Sequence, residues 1–174
     1  MGVMTRILVL GSPGAGKSTF SRRLAAVLGI PVIHLDAHFW KPGWEKPERE
    51  AWIETQRELI ESSESWIMDG NYGSTIDVRL RAANTVILLD VPRYICLHRV
   101  LKRWLRYRNS SRPDMAEGCT EKVDLEFLRY IWNFPHDELA PIERRLAFYE
   151  KTVIRLGSAE EIDAFLDEVG EISQ

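Results

Sequence analysis

Residues Gly11 to Ser18 read Gly-Ser-Pro-Gly-Ala-Gly-Lys-Ser and satisfy G-x-x-x-x-G-K-[ST] throughout, which constrains the fold more than any other stretch of the chain. The pattern works only where a strand hands over to a helix. Its glycines let the backbone curl, so that successive N–H groups and the positive end of the helix dipole converge on phosphate oxygens. Both neighbours are present. Ile7 to Leu10 is a continuous aliphatic run, as in a strand buried on both faces. From Lys17 to Leu28, Phe20, Leu24, Val27 and Leu28 recur at helical spacing, and Gly29 with Pro31 supplies a stop. Gly11, Ser12, Pro13, Gly14, Ala15, Gly16, Lys17, Ser18 and Thr19 are therefore the expected nucleotide-binding set. Lys17 is expected to reach the β- and γ-phosphates, Ser18 to ligate magnesium, and Thr19 to lie near the α-phosphate. The alternative, a glycine-rich turn that only joins strand to helix, leaves the Lys17-Ser18 pair unexplained.

The same alternation continues along the chain. Pro31 to Leu35 reads as a second strand, and the turn residues of Lys41 to Pro47 precede a helix over about 48–62. Trp66 to Met68 reads as a third strand and Thr85 to Leu89 as a fourth, with Pro92 opening a helix over 93–107. Asn109 to Gly118 breaks that helix, and a further helical region is interrupted near Pro135 and Pro141. Thr152 to Leu156 is a fifth strand. Ser158 and Glu161 form a capping box for the last helix, whose buried face is Ile162, Phe165, Leu166 and Val169. Parallel strands need crossover connections, and both faces of such a sheet must be covered. The expected architecture is a three-layer α/β/α sandwich around a five-stranded parallel sheet, one domain over residues 1–174.

Composition removes several function classes. A chain with 45% hydrophobic and 28% charged residues and a formal net charge of -3 is an ordinary globular protein, without general attraction for nucleic acid or acidic lipid. The amino-terminal apolar run is too short for a membrane span or a signal peptide. Cys96 and Cys119 show neither metal-ligand spacing nor a disulfide framework, so free thiols and a cytoplasmic location are expected.

A magnesium site needs a carboxylate at the end of a neighbouring strand, which Asp69 and Asp90 both supply. The glycine in Asp69-Gly70-Asn71-Tyr72 suggests close approach of the backbone to a ligand, whereas Asp90-Val91-Pro92 reads as a strand ending before a helix cap. Asp69 is therefore favoured.

The combination of Gly11 to Thr19, His34-Leu35-Asp36, Phe39-Trp40-Lys41-Pro42-Gly43-Trp44 and Asp69-Gly70-Asn71-Tyr72 resembles the P-loop nucleoside and nucleotide kinases. Within that group it looks most like the adenylate-kinase-related DNA topology modulation proteins, over nearly the whole chain. The resemblance implies a sheet of order 2-3-1-4-5 and a phosphotransferase moving the γ-phosphoryl of ATP, with magnesium, to a small-molecule or nucleotide acceptor. It also implies a substrate-side helical segment at about 37–63 and a lid-like segment at about 93–135. Seven Arg or Lys residues and no acid lie between Val91 and Pro113, in a chain that is acidic overall. Arginines on a closing lid can stabilise a phosphoryl in transit. Arg99 and Arg103, one turn apart, match the lid positions of adenylate-kinase-like proteins; Arg106, Arg108 and Arg112 are looser candidates. The alternative is a solvated basic helix face.

On the acceptor side, the resemblance puts Asp36 where such kinases meet the hydroxyl to be phosphorylated, to orient or deprotonate it. Trp40 and Trp44 flank a Pro-Gly turn and can contact a ring, while Trp52 falls on a helical stripe and reads as core. Arg79 can hold an acceptor phosphate, and His34 bonds locally. Asn71-Tyr72 departs from the nucleoside monophosphate kinases, which puts a nucleotide acceptor in doubt. Two other functions stay open: an ATP-binding, nucleic-acid-associated regulator of DNA topology, and a P-loop ATPase without an acceptor.

Overall fold

The computed structural model describes residues 4–41, 43–107, 123–149 and 151–172. Five parallel strands, β1 (Arg6–Gly11), β2 (Val32–His34), β3 (Trp66–Asp69), β4 (Thr85–Leu89) and β5 (Thr152–Leu156), form one sheet of order β2-β3-β1-β4-β5. The aliphatic runs explain the arrangement, because each central strand has both faces covered. Ile7 and Val9 of β1, Ile67 of β3, and Ile87 and Leu89 of β4 point to one side. There they meet Phe20 and Leu24 of α1 (Lys17–Leu28), Cys96 and Val100 of α5 (Arg93–Tyr107), and Phe165, Leu166 and Val169 of α8 (Ala159–Ile172). Leu8, Leu10, Trp66, Met68, Val86 and Leu88 point to the other side. They pack on Ile76 and Leu80 of α4 (Ile76–Ala82) and on Ile142 and Leu146 of α7 (Ala140–Phe148). The result is the three-layer sandwich.

Three boundaries differ from the sequence expectation. The second strand stops at His34, and Leu35 begins a five-residue helix, α2 (Leu35–Phe39), so Asp36 sits on a first helical turn. α4, preceded by a 3-10 turn at Gly73–Thr75, has no counterpart in that reading, since seven residues show too little periodicity to reveal themselves. Near Pro135 the chain does not break: α6 (Leu125–Phe134) runs through a π-helical turn, Pro135–Leu139, directly into α7. Pro135 lacks an N–H, and the wider turn accommodates it, while Pro141 lies in the first turn of α7 where a missing N–H costs little. α3 (Arg49–Glu61) and α8 fall where expected. In the α8 cap, the Glu161 N–H donates to Ser158 Oγ at 3.2 Å, but the Glu161 carboxylate accepts from Gly157 rather than Ser158.

The loop expected over Asn109 to Gly118, together with Arg108, Arg112 and Cys119, lies outside the described residues. Among those described, no helix is long and apolar enough to cross a membrane. Phe165 is 6% exposed and its ring lies 6.2 Å from that of Phe20. Phe165→Ala should cost about 3–5 kcal/mol, measured as a lower urea midpoint at unchanged slope.

Candidate functional site

The phosphate loop hangs between the ends of β1 and α1 and is braced from outside by α5. Gly16 caps α1 in the left-handed region (φ 100°), so the helix's first N–H groups open toward the loop. Gly14 (φ 85°) lies so close to the main chain at Cys96 that a Cβ would overlap its carbonyl oxygen. Only glycine fits there. Arg99 Nη1 donates to the Ala15 carbonyl at 3.1 Å, tying α5 to the loop a second time. Lys17 Nζ donates to the Gly11 carbonyl (2.8 Å) and the Ser12 carbonyl (3.2 Å). Burial lowers the pKa of this ammonium, and the charges of Asp69 and Asp36 pull it back up, so both carboxylates face Lys17.

The loop after β3 supplies the rest of the framework. Asp69 is buried and its Oδ2 lies 2.8 Å from His34 Nδ1, its register partner on β2. Asn71 grips the first peptide of the phosphate loop: the Gly11 N–H donates to its Oδ1 (3.1 Å), and its Nδ2 donates to the Gly11 carbonyl (2.9 Å). Tyr72, at φ 42°, donates its hydroxyl to Asp36 Oδ1 at 2.5 Å. Burial first, then the charge of Asp36, drives the phenol pKa far up, so it acts as a neutral donor. Beneath lies Arg79, fully buried, donating to the carbonyls of Gly70 (2.8 Å), Asn71 and Tyr72 (3.2 Å).

With this geometry established, comparison with known proteins identifies its lineage. Residues 7–118 match the family model described as AAA domain. Shikimate kinase from Rhodococcus jostii is 32% identical over 138 residues, 71% of this chain and 78% of that protein. The chain belongs to this P-loop kinase family. The pentafunctional AROM polypeptide of Scheffersomyces stipitis is 23% identical over 206 residues, covering 94% of this chain; the chain spans only 13% of that protein's length. The crystal structure of shikimate kinase from Bacteroides thetaiotaomicron superposes with a TM-score of 0.55 at 19% identity, over 98% of each chain, a likeness of fold.

In this P-loop kinase the expected site residues separate into two groups. Lys17, Asp69, Asp36 and Arg99 converge on the phosphate loop, and the charge of Arg103 is near enough to Lys17 to lower its pKa. Asp90 is engaged elsewhere: Arg155 donates to its Oδ2 at 2.6 Å and also pairs with Glu143. Arg79, expected to hold an acceptor phosphate, instead lies under the loop with its donors directed at main-chain carbonyls, where burial pushes its pKa down to about 9. Arg106 is exposed in the last turn of α5, 5.6 Å from the ring of its neighbour Tyr107. At Gly70 (φ 140°) a Cβ would crowd the side chain of Leu35, so the glycine is needed for packing on α2.

Trp40 and Trp44 pack edge to face 5.1 Å apart, in an aromatic cluster that runs through Phe39 to Trp52 and Tyr72. Trp52 is core, as expected, whereas Trp40 and Trp44 are partly exposed. Tyr130, Glu138 and Arg145 belong to no motif and are not among the residues expected at the site. Tyr130 lies beside Asn71, its phenol pushed up by burial and by the charges of Glu138 and Asp36. Arg145 donates to the Gly73 carbonyl from α7. For a metal, the Ser18 hydroxyl and the Asp69 carboxylate are the available oxygens. Among the described residues no cluster of three or more His, Cys, Asp or Glu side chains could hold an ion. That small donor set fits magnesium, which binds through one or two protein oxygens together with phosphates.

Arg79→Met leaves the Gly70 and Asn71 carbonyls without their donor, at about 1–3 kcal/mol for each that stays buried and unsatisfied, while the Tyr72 carbonyl keeps the Thr75 N–H. The loss should exceed about 2 kcal/mol, lowering Tm by at least about 4 °C in calorimetry. Arg79→Lys should recover less than half of it, since a single ammonium cannot span three carbonyls as a planar fork does.

Proposed function

We propose that this kinase moves the γ-phosphoryl of ATP onto a hydroxyl of a small acceptor, with the chain acting as one domain and 93–135 as its lid. The observation that carries this reading is the convergence of two carboxylates of different partnership on one lysine. Asp69 is paired with His34, whereas Asp36 is held by a neutral phenol, and both lie within electrostatic range of Lys17.

The roles follow from charge and position. The N–H groups of Gly11 to Thr19 cradle the phosphates, and Lys17 leaves its carbonyls to neutralise the β- and γ-oxygens. Ser18 and Asp69 would hold magnesium, which when bound would offset charge developing on the phosphate oxygens. Arg99 and Arg103 approach from α5, where a loose transition state spreads negative charge over the transferred group. Asp36 accepts the proton of the acceptor hydroxyl, so the hydroxyl oxygen attacks the γ-phosphorus as its proton leaves and ADP departs. Trp40 and Trp44 offer the acceptor an apolar wall. Similarity to the Rhodococcus shikimate kinase makes shikimate one acceptor to assay, and the resemblance to the DNA topology modulation proteins makes nucleosides and nucleotides others. The same features support ATP and magnesium as the cofactor pair.

A screen of nucleosides, nucleotides, sugars and shikimate for acceptor-dependent ADP release tests the proposal. Lys17→Ala should reduce transfer at least about 100-fold while the circular dichroism spectrum is unchanged; full activity in that variant would overturn the loop assignment. Asp36→Asn should reduce transfer about 100-fold or more and spare background ATP hydrolysis. Equal loss of both would make Asp36 structural.

A further inference from the structure

Lys17 is parked on two carbonyls of its own loop, and each of them has a second donor. The Gly11 carbonyl, which accepts the ammonium at 2.8 Å, also accepts Asn71 Nδ2 at 2.9 Å. The Ser12 carbonyl, at 3.2 Å from Nζ, also accepts the Ala15 N–H at 3.0 Å. An ammonium that leaves a buried carbonyl ordinarily orphans an acceptor, and Gly11 and Ser12 are both buried. Here neither acceptor is orphaned. The Ser12 bond is internal to the loop, but the Gly11 bond is made from 60 residues away, by a side chain that the nucleotide-binding pattern does not include.

We propose that Asn71 is a positioning residue of the nucleotide site: it holds the Gly11 peptide so that Lys17 can exchange that carbonyl for the phosphates of ATP.

Two further features fit this role. Asn71 grips both polar groups of one residue, with Oδ1 taking the Gly11 N–H at 3.1 Å, so its Nδ2 stays in place on the Gly11 carbonyl when Lys17 leaves. The clamp is itself fixed from below, since the buried guanidinium of Arg79 donates to the carbonyls of Gly70 and Asn71. The thermodynamic consequence is specific. In the wild type the Gly11 carbonyl has two donors before ATP binds and one after. Without Asn71 it has one before and none after, so the cost falls on binding. In a chain that also lacks Lys17, the carbonyl has the same partners in both states, and Asn71 has nothing to contribute to affinity.

The inference rests on the reading that Lys17 moves to the β- and γ-phosphates, and a double-mutant cycle on ATP affinity separates the two. Isothermal titration of ATP with magnesium would be compared for the wild type, Lys17→Ala, Asn71→Ala and the double variant. Asn71→Ala should weaken ATP about tenfold or more, and adding it to Lys17→Ala should change affinity by less than about twofold. Asn71→Leu keeps the side-chain volume without adding charge and loses the donor to the Gly11 carbonyl, so it should also weaken ATP; it serves if the alanine variant does not fold. Wild-type affinity in Lys17→Ala would overturn the loop reading itself. If Lys17→Ala is weakened but either Asn71 variant binds like the wild type, or if the two losses multiply in the double variant, the role of Asn71 alone is overturned.

Discussion

A single buried cation organises both sides of the site. Arg79 lies under the turn that follows β3 and draws three successive carbonyls toward itself. Burying a guanidinium is costly, and the cost is met only because its planar fork reaches several acceptors at once. With the carbonyls turned down, the side chains of the same residues are turned outward: Asn71 toward the phosphate loop and Tyr72 toward Asp36. Tyr72 is held at φ 42°, a conformation few non-glycine residues adopt, and it persists because Arg79 fixes its carbonyl while Phe39 and Trp52 pack its ring. The donor and acceptor halves of the site thus share one support.

How far such a site can be read from sequence depends on whether its contacts are local. The phosphate loop was legible because all of its chemistry lies in nine consecutive residues between an aliphatic run and an amphipathic helix. The sheet order followed from resemblance, and the strands from uninterrupted apolar runs. What escaped the reading depends on pairs far apart in the chain: His34 with Asp69, Asn71 with Gly11, Tyr72 with Asp36. Composition and periodicity say nothing about such pairs. One signal was present, since Asn71-Tyr72 stands where related kinases carry other residues. From sequence it bears only on the choice of acceptor, whereas in the structure those two side chains reach Gly11 of the loop and Asp36. Arg79 was misplaced for a similar reason. An arginine after a strand looks like a phosphate ligand until its burial is known. The α2 boundary slipped because Leu35 extends the apolar run of β2, although it serves to pack beneath Gly70.

Electrostatics divides the site in the same way as the chain. The cations near the nucleotide, Lys17, Arg99 and Arg103, come from α1 and α5, which flank the phosphate loop. The carboxylates Asp36 and Asp69 come from the opposite edge, beyond β3 and β2.

The π-helical turn at Pro135–Leu139 carries one residue more than an α-helix needs to make a single revolution of its axis. One residue corresponds to a rotation of about 100°, so this stretch acts as a phase shifter between α6 and α7. With it, Ile142 and Leu146 face the sheet and Arg145 reaches Gly73 beside the Tyr72 turn. Removing one residue would leave both helices intact and rotate everything downstream, taking the apolar face of α7 off the sheet. The length of the chain at this point, more than the identity of any side chain in it, sets which residues of α7 look into the site.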